Sequence, residues 1–160
     1  MALTTTPGAS DADTMASLAE ALDHIATLTA AQSKGWPTDV PSQEAALKQG
    51  ARKMNALDYK GSRVASEEAQ PMPFPRVGIY DRSGFPIPSD VVPMAVKRAQ
   101  IELSIWLWLK NRNTDAAPSR LKVGSLEIEG QTTQAFPDHV LAYLAPYLNS
   151  YGSSVMLVRG

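Results

Sequence analysis

Few side chains in this sequence of 160 residues could do acid–base or nucleophilic chemistry. Cysteine is absent, which excludes disulfides, thiolate metal sites and a cysteine nucleophile. Only two histidines, His24 and His139, are present, too few for a histidine-rich metal centre. Asp138 and His139 are adjacent, but neighbours at a helix start point apart, and an Asp there reads as a cap. His24 falls between the apolar helical positions and is expected to face solvent. Glu127 and Glu129 share one face of a short alternating run, which would suit either a carboxylate pair or the wet side of an edge strand. The second reading is the simpler. No phosphate-loop, dinucleotide, esterase or zinc-protease signature occurs. The expectation is therefore a protein that binds rather than catalyses, with no cofactor and no metal.

Binding chemistry is better represented. The net charge is −1, without the basic excess of a dedicated nucleic-acid binder. The charges are nonetheless uneven: residues 1–59 hold 4 basic and 7 acidic groups, residues 60–122 hold 10 and 6, and residues 123–160 hold 1 and 3. The mildly positive middle interleaves Phe74, Tyr80, Phe85, Trp106 and Trp108. Aromatic rings beside cations are how single strands of nucleic acid are held, so Arg76, Arg82, Lys97 and Arg98 are candidate DNA contacts. An acidic protein partner would suit the same surface. Trp106 and Trp108 lie in an apolar helix, where core packing explains them better.

The elements that must position these groups follow from apolar spacing and from Pro and Gly. Residues 1–13 are small and polar and read as a flexible arm. Asp13 or Thr14 can cap a first helix, and Ser17 with Glu20 fits a capping box. Its face is Met15, Leu18, Leu22, Ile25 and Leu28, ending near Gln32 before Gly35 and Pro37. Ser42 is expected to cap a second helix with Leu47, Gly50, Ala51, Met54 and Leu57 on one face. Six of the twelve prolines fall between Pro71 and Pro93, together with many large apolar residues. That mixture predicts an ordered, extended loop packed on the body, with a type I turn over residues 81–84. Pro93 opens a third helix, with Val92, Val96, Ala99, Leu103 and Trp106 on one face and Ile101, Ile105 and Trp108 on another. A helix apolar nearly all round is buried on several sides. A strand is expected between Gly124 and Gly130, carrying Leu126 and Ile128. A fourth helix starts at Asp138, with Pro146 expected to kink it near Ala142. Residues 150–154 then form a glycine–serine hinge before the apolar Val155, Met156, Leu157 and Val158, followed by Arg159. The tail either completes its own domain or inserts into a partner by strand addition. No run approaches the ~20 apolar residues of a membrane span, and the first fifteen residues lack the basic and apolar regions of a secretory signal.

Residues 74–93, FPRVGIYDRSGFPIPSDVVP, resemble a long motif of a tailed-phage family, followed there as here by V-K-x-A-Q-x-E-L at residues 96–103. Lys122 to Glu129, KVGSLEIE, is similar to a later motif, as are the LAPYL of residues 144–148 and the terminal LVR. Members are often labelled DnaT-like single-stranded DNA-binding proteins, while the architecture resembles head–tail connector adaptors. The resemblance implies a mainly α fold: a small helical adaptor domain of about four helices, with a long ordered proline-rich loop and a short β element. Its three parts would be an arm at residues 1–13, a domain at 14–149 and a docking tail at 150–160. It implies a ring, typically of twelve copies, in the virion neck, assembled in the host cytoplasm. The ring would meet the portal protein and the next neck component, a stopper or tail terminator, with genomic DNA passing through and no membrane contact. Val155, Met156, Leu157, Val158 and Arg159 would dock on the portal. Phe74, Arg76, Tyr80, Phe85, Leu126 and Ile128 would lie between subunits. The alternative is a single-stranded DNA-binding replication accessory.

Overall fold

The computed structural model describes residues 2–114 and 136–149. The elements run α1 (Leu18–Ile25), α2 (Ala30–Ser33), α3 (Val40–Met54), β1 (Ser62–Arg63), β2 (Arg76–Val77), α4 (Met94–Thr114) and α5 (Asp138–Leu144), closed by a 3-10 turn at Ala145–Tyr147. The fold is mainly α with a two-stranded antiparallel sheet, in which Ser62 faces Val77 and Arg63 faces Arg76. This sheet was not expected from the sequence; two-residue strands are too short to show an alternation.

The central helix is α4, and its two faces serve two separate cores. Val96, Ala99, Leu103 and Leu107 join Met54, Phe74, Ile79, Val140, Leu144 and others in the larger cluster. Ile101 and Ile105 meet Ala16, Ala21 and Leu47 in the smaller one. Val92, Val96, Ala99, Leu103 and Trp106 on the larger cluster and Ile101 and Ile105 on the smaller are those expected from the apolar spacing, but Trp108, expected on the second face, joins neither cluster. Pro93 stands one residue before the helix, and its carbonyl accepts from Val96 and Lys97.

Where α3 crosses α4, a side chain at Gly50 would collide with Ser104 Oγ and come within 3.0 Å of the Gln100 carbonyl. Close approach of the two backbones is thus the reason for glycine there. Gln100 sits fully buried at the same crossing. Its carbonyl oxygen accepts from Met15 N at 2.9 Å, and its amide donates to Leu47 O at 3.0 Å and to Thr14 Oγ1.

Several boundaries differ from expectation. The first helix ends at Ile25, and Thr29 caps a separate short helix, because Thr29 and Gln32 form their own capping box. Ser17 caps α1 through its box with Glu20; Thr14 and Met15 are buried ahead of it. Asp39, rather than Ser42, caps α3: its carboxylate accepts from Ser42 N at 2.9 Å. The N-terminal segment is not a free arm. Thr4 N donates to Asp13 Oδ1 at 2.9 Å, Lys48 pairs with Asp13 at 2.8 Å, and Ala12 is buried in the larger core. Pro146 converts the end of α5 into the 3-10 turn instead of kinking the helix near Ala142, since its ring and missing N–H cannot continue the α ladder. The strand expected at Leu126 and Ile128, the pair Glu127 and Glu129, and the tail at Val155, Met156, Leu157, Val158 and Arg159 lie outside the described residues.

Candidate nucleic-acid and partner interface

The proline-rich segment is ordered by two buried polar side chains. Gln70 is fully buried; its carbonyl oxygen accepts from Val64 N and Ala65 N, and its amide donates to Met72 O and Pro75 O. Arg76 donates from Nε to Lys60 O at 2.7 Å, from Nη1 to Pro73 O at 3.1 Å, and from Nη2 to Gly61 O at 3.0 Å and Tyr59 O at 3.4 Å. One guanidinium thus joins residues 59–61 to the loop, stacked over the Tyr59 ring at 5.6 Å. Desolvation lowers its pKa from the ordinary value, and the charge of Arg63 lowers it further. Gly61 has φ +70 and a Cβ there would run into the Val77 carbonyl, so the turn into β1 needs glycine.

Beyond Arg76 the chain forms a tight hairpin. Ile87 N donates to Ile79 O and Asp81 N to Phe85 O, while Gly84 N donates to Asp81 O at 3.0 Å, the expected turn. The Asp81 carboxylate also accepts from Ser83 N and Phe85 N, each at 2.9 Å, fixing the loop from within. This hairpin holds Tyr80 at 55% and Phe85 at 67% exposure. A cleft of about 440 Å³ lies beside it, lined by Lys60, Gly78, Tyr80, Arg82 and Pro146 among others. Arg82 reaches across to donate to the Ala142 carbonyl at the end of α5.

The expected site residues therefore separate. Tyr80, Phe85 and Arg82 come together on the hairpin. Phe74 is 1% exposed and packs edge-on between Tyr59 and Tyr147, so its ring is committed to the chain's own core. Arg76 has every donor nitrogen engaged by backbone carbonyls and is removed from the groups able to reach a phosphate. Lys97 pairs with Glu20 at 2.6 Å on a different face, and Arg98 is exposed near it. Lys60 was missed by the sequence reading; its place beside Tyr80 depends on the turn at Gly61.

The second polar constellation joins three helices. Glu102 on α4 receives His24 Nε2 from α1 at 2.9 Å and stands 3.5 Å from His139 Nε2 on α5. His24 is thus not solvent-facing; its side chain is 11% exposed. Asp138 plays no part in this contact. Among the described residues no group of acidic and imidazole side chains could hold a metal ion, and no helix is long and apolar enough to cross a membrane.

The described residues thus form a small mainly helical domain with exposed aromatic rings and cations on a braced hairpin. Residues 1–160 match the family described as "Putative DnaT-like ssDNA binding protein". The chain belongs to that family. No curated protein and no solved structure matches it.

Proposed function

We propose that this chain binds single-stranded DNA, with no chemistry of its own, through the hairpin of Tyr80 and Phe85 and the adjoining cleft. The observation that carries the reading is the pair of exposed rings Tyr80 and Phe85 on the hairpin, with Lys60 and Arg82 lining the cleft beside Tyr80. Bases of any sequence stack on such rings, each stack contributing about 1–3 kcal/mol, while neighbouring cations hold the backbone. The family's description supports the same reading. Internal bracing by Asp81 keeps the hairpin in one shape, so little entropy is lost on binding.

The test is fluorescence anisotropy with a labelled oligothymidine at low salt. Replacing both Tyr80 and Phe85 by Ala is expected to weaken binding by at least about tenfold, from the loss of one or more stacks. Raising the salt should weaken wild-type binding. Absence of binding at low salt, or equal binding by the double variant, overturns the reading.

One observation favours a second reading, the ring-forming head–tail adaptor. Of four candidate DNA-contacting cations, Arg76 is committed to backbone carbonyls and Lys97 to Glu20, and the chain's net charge is −1. A channel wall that lets DNA slide needs few free cations. In that reading the exposed hairpin meets neighbouring subunits, the portal protein or the next neck component of a virion. Counting copies of the chain against portal copies in purified virions by mass spectrometry separates the two: a fixed ratio supports the adaptor, and absence from virions removes it.

A further inference from the structure

On the face of α4 away from the hairpin cleft, two cavities of about 530 and 500 Å³ lie end to end and share Tyr143. Their floor runs along α4 from Met94 to Leu109, which spans about 22 Å at ~1.5 Å per residue. One wall comes from α1 and the residues after it, the other from α5. Glu102, with His24 and His139 drawn to it, marks the saddle between the two halves.

The two halves differ in chemistry. The half near Leu109 is the more apolar, with Leu28, Ile105, Trp106 and Leu109 beside Gln32, Glu102 and His139. The half near Met94 is charged. There Glu20 and Lys97 satisfy each other, but Asp23 and Arg98, both exposed, have no hydrogen-bonding or ionic partner among the described residues.

We infer that this groove receives residues 155–160 of a second copy of the same chain. The sequence there is four apolar residues, Val155, Met156, Leu157 and Val158, then Arg159 and Gly160. Laid along the groove as a strand, six residues cover about 20 Å at ~3.3 Å each, close to the floor's length. With the apolar residues toward Leu109, Arg159 falls near Asp23 and Gly160 near Arg98. The unpaired Asp23 carboxylate then meets its opposite charge on the tail.

The donor is a second copy because α5 leads the chain away from its own groove. After His139 and Tyr143 the chain turns at Ala145–Tyr147 into the hairpin cleft side, and Asn149 is pinned there. Its N donates to Asp58 O, and its side-chain amide donates to Asp58 Oδ1 and Tyr59 O, each at 3.0 Å. Tail of one copy into groove of the next is a heterologous contact, which propagates until it closes on itself. The inference does not depend on DNA binding.

The absence of native cysteine allows a clean test on the full-length chain. Asp23→Cys and Arg159→Cys variants, prepared separately, are mixed and mildly oxidised. Disulfide-linked dimers of the two are expected, with yield reduced about tenfold or more when Leu157→Asp is added to the tail donor. Arg98→Cys with Gly160→Cys should behave likewise and guards against a local effect of either substitution. Glu67→Cys, outside the groove, is the control acceptor. Dimers formed as readily with Glu67→Cys mean a roaming tail and overturn the inference. So do links formed only within one chain carrying both cysteines, and so does the absence of links at both pairs.

Discussion

Replacing Arg76 by Met tests whether its guanidinium is a structural tie or a phosphate contact. The structure gives it hydrogen bonds to four backbone carbonyls, at Tyr59, Lys60, Gly61 and Pro73, with the side chain nearly withdrawn from water. A buried acceptor left without its donor costs roughly 1–3 kcal/mol. Some of these carbonyls will regain water as the loop relaxes, so the four losses will not add in full. If two of the four stay dry, the expected loss is about 2–6 kcal/mol. Against a domain stability of about 5–15 kcal/mol this is a large fraction. Lys in place of Arg should recover little, because an ammonium is a point donor and cannot span carbonyls on two segments. Urea unfolding followed by tryptophan fluorescence reads the loss directly. A change below about 1 kcal/mol, the range of ordinary surface substitutions, would refute the tie. A flatter salt dependence of DNA binding with unchanged stability would instead make Arg76 a phosphate contact.

Two further outcomes follow from the packing and the charges. Gly50→Ala gains up to about 1 kcal/mol of helix propensity but overpacks the α3–α4 crossing at a cost of roughly 1–3 kcal/mol, so a net loss in thermal unfolding is expected, relieved when Ser104→Gly is combined with it. Burial acts to raise the Glu20 carboxyl, but the Lys97 hydrogen bond and charge, together with Ser17, outweigh it and leave its pKa below the ordinary 4.5. Its contribution to stability is therefore complete above the unfolded pKa and is lost as pH falls through the lower folded value. Lys97→Met should shrink that acid-side loss in a pH series of urea midpoints, and an unchanged pH profile would contradict the pairing.

Much of the helical scaffold was legible because it is written in spacing. The two faces of α4, the Ser17–Glu20 box and the tight contact at Gly50 all follow from local rules of period, cap and size. The ordered state of the proline-rich loop followed from its apolar content. What holds that loop together did not. Gln70, Gln100 and Arg76 look like surface residues in a sequence, and only the fold brings backbone partners from distant segments around them. The same limit explains His24: its partner Glu102 lies on another helix, and no local pattern couples the two. For the site, Tyr80, Phe85 and Arg82 were visible as types in a positive stretch. Arg76 was of the same type and in the same stretch, and burial alone sets it apart.

The position of α4 between two hydrophobic clusters has a consequence for how the molecule comes apart. A helix that forms one wall of each cluster cannot leave one without uncovering the other. The two clusters are therefore coupled into one cooperative unit, although no large apolar residue need pass between them. The backbone amides at the middle of α4, around Gln100 to Ser104, should then exchange with solvent only through global unfolding. Those of α2, none of whose residues joins either cluster, and those of α1, which rests on the smaller cluster alone, can open singly, so the slowest-exchanging protons would trace the seam between the clusters.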